Sequence, residues 1–184
     1  MKIRMAVVAV AVLAAGGIVL AASRRQEPAK GGKFHEFLKQ FEGTWETKSE
    51  FKFGEQVMKS KGTETNKLAV GGLFLVGDSK SEMEGTTMPF EAHVLWGYDE
   101  HKKKFTGSWV DNMSTALWPF EGTVDDAGKK FTLTMEGPNP MTGETMKIKM
   151  VHEISGKDAR SLTLFMPGPD GKEVEMKIDY VRKK

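Results

Sequence analysis

The side chains best suited to ligate a metal are the four histidines, at positions 35, 93, 101 and 152. No two of them are two or four residues apart, and the chain contains no cysteine, so no local zinc pattern is present. His152 shares strand parity with Met146, Ile148 and Met150, which predicts an inward side chain. A lone inward histidine is most often a hydrogen-bonded core residue. We therefore predict no metal site and no cofactor.

The stretch GSWVDNMSTALWPFEG, residues 107–122, is the densest mixture of aromatic and polar groups. Trp109 and Asp111 share one face of a predicted strand. If that face is inward, Asp111 is a buried carboxylate that must find a donor or stay protonated, and it would anchor a ligand in a pocket. The alternative is a strand end where Asp111 begins a turn. The candidate ligand-binding residues are Trp96, Trp109, Asp111 and His152.

Methionine is abundant, and ten of the twelve methionines lie beyond residue 23. Those at positions 83, 113, 135, 146, 150, 166 and 176 fall within predicted strands. Methionines in such positions line a pliable apolar pocket, bind Cu(I), or simply fill a core.

Motifs for catalysis are missing from the sequence. There is no Gly-x-Ser-x-Gly elbow, and no glycine-rich loop precedes a helix. Glu64 and Asn66 in GTETN, or Glu121, have side chains that can act in acid–base chemistry, but a carboxylate in a strand is usually solvated. We predict no catalytic residue and no enzymatic activity.

The elements that would position these residues are one short helix and about ten strands. Phe34, Phe37, Leu38 and Phe41 fall at helical spacing, and Gly43 ends that pattern. From Trp45 onward apolar residues alternate with polar ones. The predicted strands are 45–53, 57–68, 73–84, 88–98, 103–113, 115–124, 129–136, 144–154, 160–166 and 172–182.

Short connections rich in Gly and Asp, such as DDAGKK and GPDGKE, join these strands and predict successive hairpins. About ten strands with one apolar face each must hide that face, and no helical pattern follows residue 42 to cover it. We therefore predict an all-β fold, an antiparallel meander closed into a barrel, with the short N-terminal helix capping one end.

Gly43-Thr44-Trp45 is similar to the Gly-x-Trp signature on the first strand of lipocalins and related barrels. The resemblance implies a lipocalin-like barrel in which Trp45 packs beneath an arginine of the last strand, and Arg182 is in that place. Some lipocalin-like proteins hold haem iron with one histidine. Here that residue would be His93 or His152, and the further glycine pattern of that subgroup is missing.

Five stretches carry a more specific resemblance, namely FEGTWE, GTETNKLAVGGLFL, GYDEHKKKFTGSWVDNMST, NPMTGETMKIKMV and GPDGKEVEMKIDYVRK. In them the chain resembles the bacterial family known as domain of unknown function 1579. The family implies the extent of the domain but no activity.

Residues 1–23 carry Lys2 and Arg4, then an apolar run at 5–22 and small residues, which is typical of a signal peptide or a membrane anchor. Residues 24–32 are a polar linker, and 33–184 form the barrel domain. Cleavage after residue 23 would leave 25 basic and 25 acidic residues, a balance that argues against nucleic-acid binding. We expect an exported protein, periplasmic or extracellular, which touches membrane only through residues 5–22 if the leader is retained.

These features predict an exported barrel that binds a small hydrophobic molecule inside it. The alternatives are a packed structural or interaction domain of the cell envelope without a ligand and, as a minor alternative, a haem-binding barrel.

Overall fold

A computed structural model describes residues 27–53, 56–85, 89–139, 142–168 and 171–184. The predicted leader, residues 1–23, and the first residues of the predicted linker lie outside this description. Within the described ranges, no helix is both long enough and apolar enough to cross a bilayer. Residues Gly31–Lys184 form one compact unit.

Among its described residues this unit contains one α-helix and ten strands, as the helical spacing and then the alternation of apolar residues predicted. Helix α1 (Lys33–Leu38) leads into a 3₁₀ turn (Lys39–Phe41), and Gly32 donates its backbone N–H to Nδ1 of His35, 2.9 Å away, at the start of α1. The strands are β1 (Gly43–Phe53), β2 (Gln56–Ala69), β3 (Phe74–Met83), β4 (Pro89–Asp99), β5 (Lys104–Asp111), β6 (Trp118–Val124), β7 (Lys130–Pro138), β8 (Thr145–Ile154), β9 (Ala159–Pro167) and β10 (Glu173–Arg182).

The strands form a closed barrel in which each one pairs antiparallel with its neighbours in sequence, and β1 pairs with β10. This confirms the predicted lipocalin-like meander. Each of the ten described strands therefore has a partner on both sides, which is the usual solution for a large twisted sheet. In the closing pair Trp45 lies opposite Arg182, and Phe51 lies opposite Met176.

Strand β6 begins three residues later than the sequence pattern predicted. Asn112 accepts a hydrogen bond from the backbone N–H of Glu91 and donates one to the carbonyl of Pro89, at 3.1 and 2.8 Å. Asp111 accepts a hydrogen bond from the N–H of Met113 at 3.0 Å. These bonds end β5 in a turn, so residues 112–117 connect two strands instead of extending the second.

Gly43 has the backbone conformation and the space that the signature before Trp45 requires. Its φ of +108° is unfavourable for residues with a side chain, and a Cβ here would lie 2.6 Å from Nη1 of Arg182. The absence of a side chain at position 43 therefore lets the guanidinium of Arg182, on the last strand, lie close to the start of the first strand.

The register sets which side chains face the barrel interior. Helix α1 and its 3₁₀ turn pack Phe37, Leu38 and Phe41 into one end of the barrel, where the largest fully buried side chains lie. We call this the helix end, and the opposite end, where β1 finishes and β2 begins, the distal end.

Candidate functional site

The interior near the helix end contains the side chains that are fully buried. Phe131 is 0% exposed and lies between Trp96, whose ring centroid is 5.1 Å away, and Phe105 at 4.8 Å. The 3₁₀ turn is tied down from inside, because Trp45 Nε1 and Asn66 Nδ2 both donate to the carbonyl of Phe41, at 2.8 and 3.0 Å. We call this region the closed half.

The interior near the distal end is different. Register places apolar side chains from most strands on the inner face there, yet they are half-buried rather than buried. They are Phe51, Met58, Met83, Phe90, Trp109, Met146, Met166, Val174 and Met176. Solvent therefore reaches the interior from this end. We call these residues and the space they surround the distal half.

Trp118 also lies near the distal end and points inward, but it is buried. It packs against Gly137, where a Cβ would come within 2.4 Å of the indole ring. The absence of a side chain at position 137 thus creates the space for Trp118 and fixes one wall of the distal half.

One side of the interior is polar. Strands β1 to β3 present small hydroxyl residues inward, and Ser49 and Ser60 share a hydrogen bond of 2.7 Å across the β1–β2 pair. We call this set the hydroxyl wall. Its members are Thr47, Ser49, Ser60, Ser79 and Ser81.

The hydroxyl wall ends at Glu64, which forms a buried ion pair with Arg160. Nη2 of Arg160 donates to Oε1 of Glu64 at 2.5 Å, and the two side chains are 2% and 13% exposed. Asn66 Nδ2 donates to the same oxygen at 2.7 Å, and Ser79 Oγ donates to Oε2 at 3.3 Å. The pairing and these added hydrogen bonds offset the cost of taking both charges out of water.

Aromatic rings surround the guanidinium of Arg160. Its Cζ lies 3.6 Å from the ring centroid of Tyr180, 4.8 Å from that of Trp45 and 5.2 Å from that of Phe41. Arg160 Nε is buried and has no hydrogen-bond partner among the described residues. The cation is therefore enclosed by π faces and one carboxylate.

His152 and Tyr180 both stay uncharged in this environment. Burial, and secondly the charge of Arg160, lower the pKa of His152 to about 3. Burial, and secondly the carboxylate of Glu64, raise the pKa of the Tyr180 phenol well above its ordinary value, although Arg160 acts in the opposite direction. An imidazole with so low a pKa is a poor general base at neutral pH.

The four candidate ligand-binding residues fall in two separate regions. Trp96 and His152 belong to the closed half, where each faces the ring of Phe131. Trp109 and Asp111 belong to the distal half. Asp111 Oδ2 accepts from Trp109 Nε1 at 2.8 Å, so the carboxylate is inward, as one interpretation of the sequence had it, and also begins the turn that the other predicted.

Trp45 and Arg182, assigned to barrel closure by the lipocalin resemblance, are in contact. Cζ of Arg182 lies 4.1 Å from the ring centroid of Trp45. The same guanidinium donates to the carbonyls of Glu42, Gln40 and Lys157, which ties the last strand to the helix end.

A histidine suited to hold haem iron is not in the distal half. His93, one of the two candidates, points outward, where its Nδ1 lies 2.9 Å from Oδ1 of Asp78. The other candidate, His152, is enclosed by Phe41, Phe131 and Arg160. Among the residues that the structure describes, no group of three or more His, Asp or Glu side chains is arranged to hold a metal ion.

Sequence reasoning missed Arg160. Arg160 precedes Leu162 and Leu164 by two and four residues. Strand parity could therefore have predicted that its side chain is inward, as theirs are. The same parity argument applies to Glu64, which faces Trp45 across the β1–β2 pair. An inward basic residue and an inward acidic one on a predicted barrel were the signal for a buried pair.

Comparisons with solved structures show the same fold. The structure of Rv2717c from M. tuberculosis matches with a TM-score of 0.65 and 14% identity, covering 84% of this chain and 100% of that chain. The S-type phycobiliprotein lyase CPES from Guillardia theta matches with a TM-score of 0.55 and 12% identity, covering 81% of this chain and 92% of that chain. At these identities the likeness concerns the fold alone.

No curated protein matches the sequence. The family model described as "Protein of unknown function (DUF1579)" matches residues 30–182, which span the helix and all ten strands. The chain therefore belongs to the DUF1579 family.

Proposed function

We propose that this barrel binds a small apolar molecule in its distal half. The observation that carries the proposal is the set of inward apolar side chains that are half-buried at that end. Apolar surface that faces an interior and still meets water is stabilised by covering it, at roughly 25 cal/mol per Å². A bound ligand supplies that cover.

The composition of the distal half suits a ligand of irregular shape. Five of its side chains are methionines, whose unbranched thioethers adapt to different partners. Trp109 and Phe90 add flat surfaces, with ring centroids 6.4 Å apart and planes inclined by 26°. The closed half lies beneath them as a rigid floor, so entry is from the distal end.

The alternative is a packed barrel that acts only through its outer surface. Such a barrel would bury its inward side chains at both ends, as the closed half does with Phe105, Leu75 and Phe131. The half-buried state of Met58, Met146 and Met176 favours the binding function.

The side chains support binding rather than catalysis. The imidazole inside the barrel, that of His152, is neutral and enclosed, and the Glu64 carboxylate is paired with Arg160. An imidazole with so low a pKa is a poor proton acceptor at neutral pH, and the Glu64 carboxylate is held by Arg160, Asn66 and Ser79.

The test is titration of the barrel domain with Nile red, an uncharged dye that becomes fluorescent in apolar surroundings. We expect saturable binding that Met176→Trp weakens at least about tenfold, because the larger side chain fills the distal half. The matched control is Glu175→Trp. Glu175 precedes Met176 in β10 and points outward, so the same ring is added outside the barrel. Absence of saturable binding, or equal binding by both variants, would contradict the proposal.

We also propose that the domain works outside the cytoplasm. The support is residues 1–23, with basic residues followed by an apolar run and small residues. Edman sequencing of the protein recovered from the periplasm or medium should begin near residue 24, and recovery in the cytoplasm with an intact N-terminus would overturn the proposal.

A further inference from the structure

The ionisable side chains on the inner face limit what the barrel can bind. Among the strand residues that the structure describes, the inward acidic ones are Glu64 and Asp111, and the inward arginines are Arg160 and Arg182. The availability of these four groups decides which ligand charge is favoured.

Neither arginine is available to a ligand. Arg160 has a side chain 2% exposed, enclosed by aromatic rings and paired with Glu64. Arg182 covers Trp45 and donates to backbone carbonyls at the helix end. A ligand with a carboxylate would therefore enter an interior where the nearest cation is already neutralised.

Glu64 is less enclosed than Arg160. Its side chain is 13% exposed, and inward residues between it and the distal end, such as Thr47, Gly62 and Ser81, are half-buried. The hydroxyl wall therefore leads from the distal end toward the Glu64–Arg160 pair.

The hydrogen bonds to Glu64 differ in length. Oε1 accepts from Arg160 and Asn66 at 2.5 and 2.7 Å, and the phenol of Tyr180 is also hydrogen-bonded to the carboxylate. Oε2 accepts from Ser79 at 3.3 Å, which is longer than an ordinary hydrogen bond from a hydroxyl to a carboxylate. A ligand hydroxyl that replaces Ser79 at Oε2 can therefore form a shorter and stronger bond.

From this arrangement, and resting on the binding function proposed above, we infer that the ligand is an uncharged amphipathic molecule with a hydrogen-bond donor such as a hydroxyl. Its donor binds Glu64 at the end of the hydroxyl wall, and its apolar part lies against the methionines and aromatic rings of the distal half. A carboxylate ligand is disfavoured, because it would face Glu64 and Asp111 without a free cation to pair with.

The test uses three probes with equal chains, 1-dodecanol, 1-methoxydodecane and dodecanoate, each displacing Nile red at neutral pH. We expect dodecanol to bind about tenfold or more tightly than the methyl ether, because only the alcohol donates a hydrogen bond to a charged acceptor. Dodecanoate should bind more weakly than the alcohol by a similar factor. Equal affinities for the three probes, or tightest binding of dodecanoate, would overturn the inference.

The deciding variant is Glu64→Leu/Arg160→Met, which removes both members of the buried pair. Replacement of a whole pair by apolar residues is tolerated far better than loss of one partner. The variant should bind the alcohol and the ether equally. The matched control, Glu91→Leu/Lys80→Met, removes an ion pair of 3.1 Å on the outer surface and should keep the preference of the original protein. A preference that survives in the deciding variant would contradict the role of Glu64.

A measurement on the unaltered protein covers the case in which the deciding variant does not fold. Infrared difference spectra should show a shift of a carboxylate band when dodecanol binds and no shift when methoxydodecane binds. Two identical difference spectra would overturn the inference. Failure of Nile red itself to bind would overturn the proposed function as well, so the two failures are distinguishable.

Discussion

Phe131 and Phe90 are inward-facing phenylalanines near opposite ends of one barrel, and their surroundings differ. Phe131 is fully buried, and five rings lie within 6.3 Å of its centroid, two of them, Phe37 and Phe41, supplied by the N-terminal helical segment. Phe90 is half-buried and is stacked with Trp109. The barrel wall alone therefore does not bury its inner face. The helical segment completes the core at one end.

The largest expected difference between the two phenylalanines is in how much their removal destabilises the protein. Phe131→Ala should lower the free energy of unfolding by about 3 to 5 kcal/mol, because it opens a cavity that its neighbours cannot fill. Phe90→Ala should cost about 1 kcal/mol, roughly the loss of one aromatic pair in a wet environment. Urea denaturation measures both values. Equal costs would mean that the distal half is packed as tightly as the closed half.

The second prediction concerns His152 in the closed half, whose burial makes the free energy of unfolding depend on pH. The pKa of His152 is lowered from 6.5 to about 3, so between these values the unfolded chain binds a proton that the folded protein excludes. Stability from this residue is complete above about pH 6.5 and decreases as the pH falls, by about 1.4 kcal/mol per unit and about 2 kcal/mol at pH 5.

His152→Leu should therefore lose less stability than the original protein between pH 7.5 and pH 5, as measured by urea denaturation at each pH. Met150→Leu, on the same face of β8, controls for repacking and should keep the original pH dependence. The same pH dependence in His152→Leu as in Met150→Leu would show that the closed half admits water and protons.

The fold was largely predictable from sequence, because the alternation of apolar residues sets each strand and the helical spacing of Phe34, Phe37 and Phe41 sets the cap. The late start of β6 was not, since Asn112 and Asp111 end β5 through hydrogen bonds that depend on the neighbouring strand. Local pattern contains no information on such contacts.

The candidate site was only partly predictable. Parity predicted Trp96 and His152 to be inward and left the face of Trp109 open. It says nothing about which end of the barrel each residue occupies, and this separates Trp109 from the other two. The pairing of Glu64 with Arg160 joins residues 96 positions apart. Only the closure of the barrel brings them together, so the inward direction of each was predictable and their contact was not.

The central claim is that water reaches the interior from the distal end. Its most direct test is methionine oxidation by hydrogen peroxide, followed residue by residue with mass spectrometry. The half-buried methionines of the distal half, such as Met58, Met146 and Met176, should oxidise much faster than Met135 and Met150, each 6% exposed. A bound ligand should protect the first group and leave the exposed loop residue Met113 reactive. Equal, slow oxidation of all inward methionines would contradict the account.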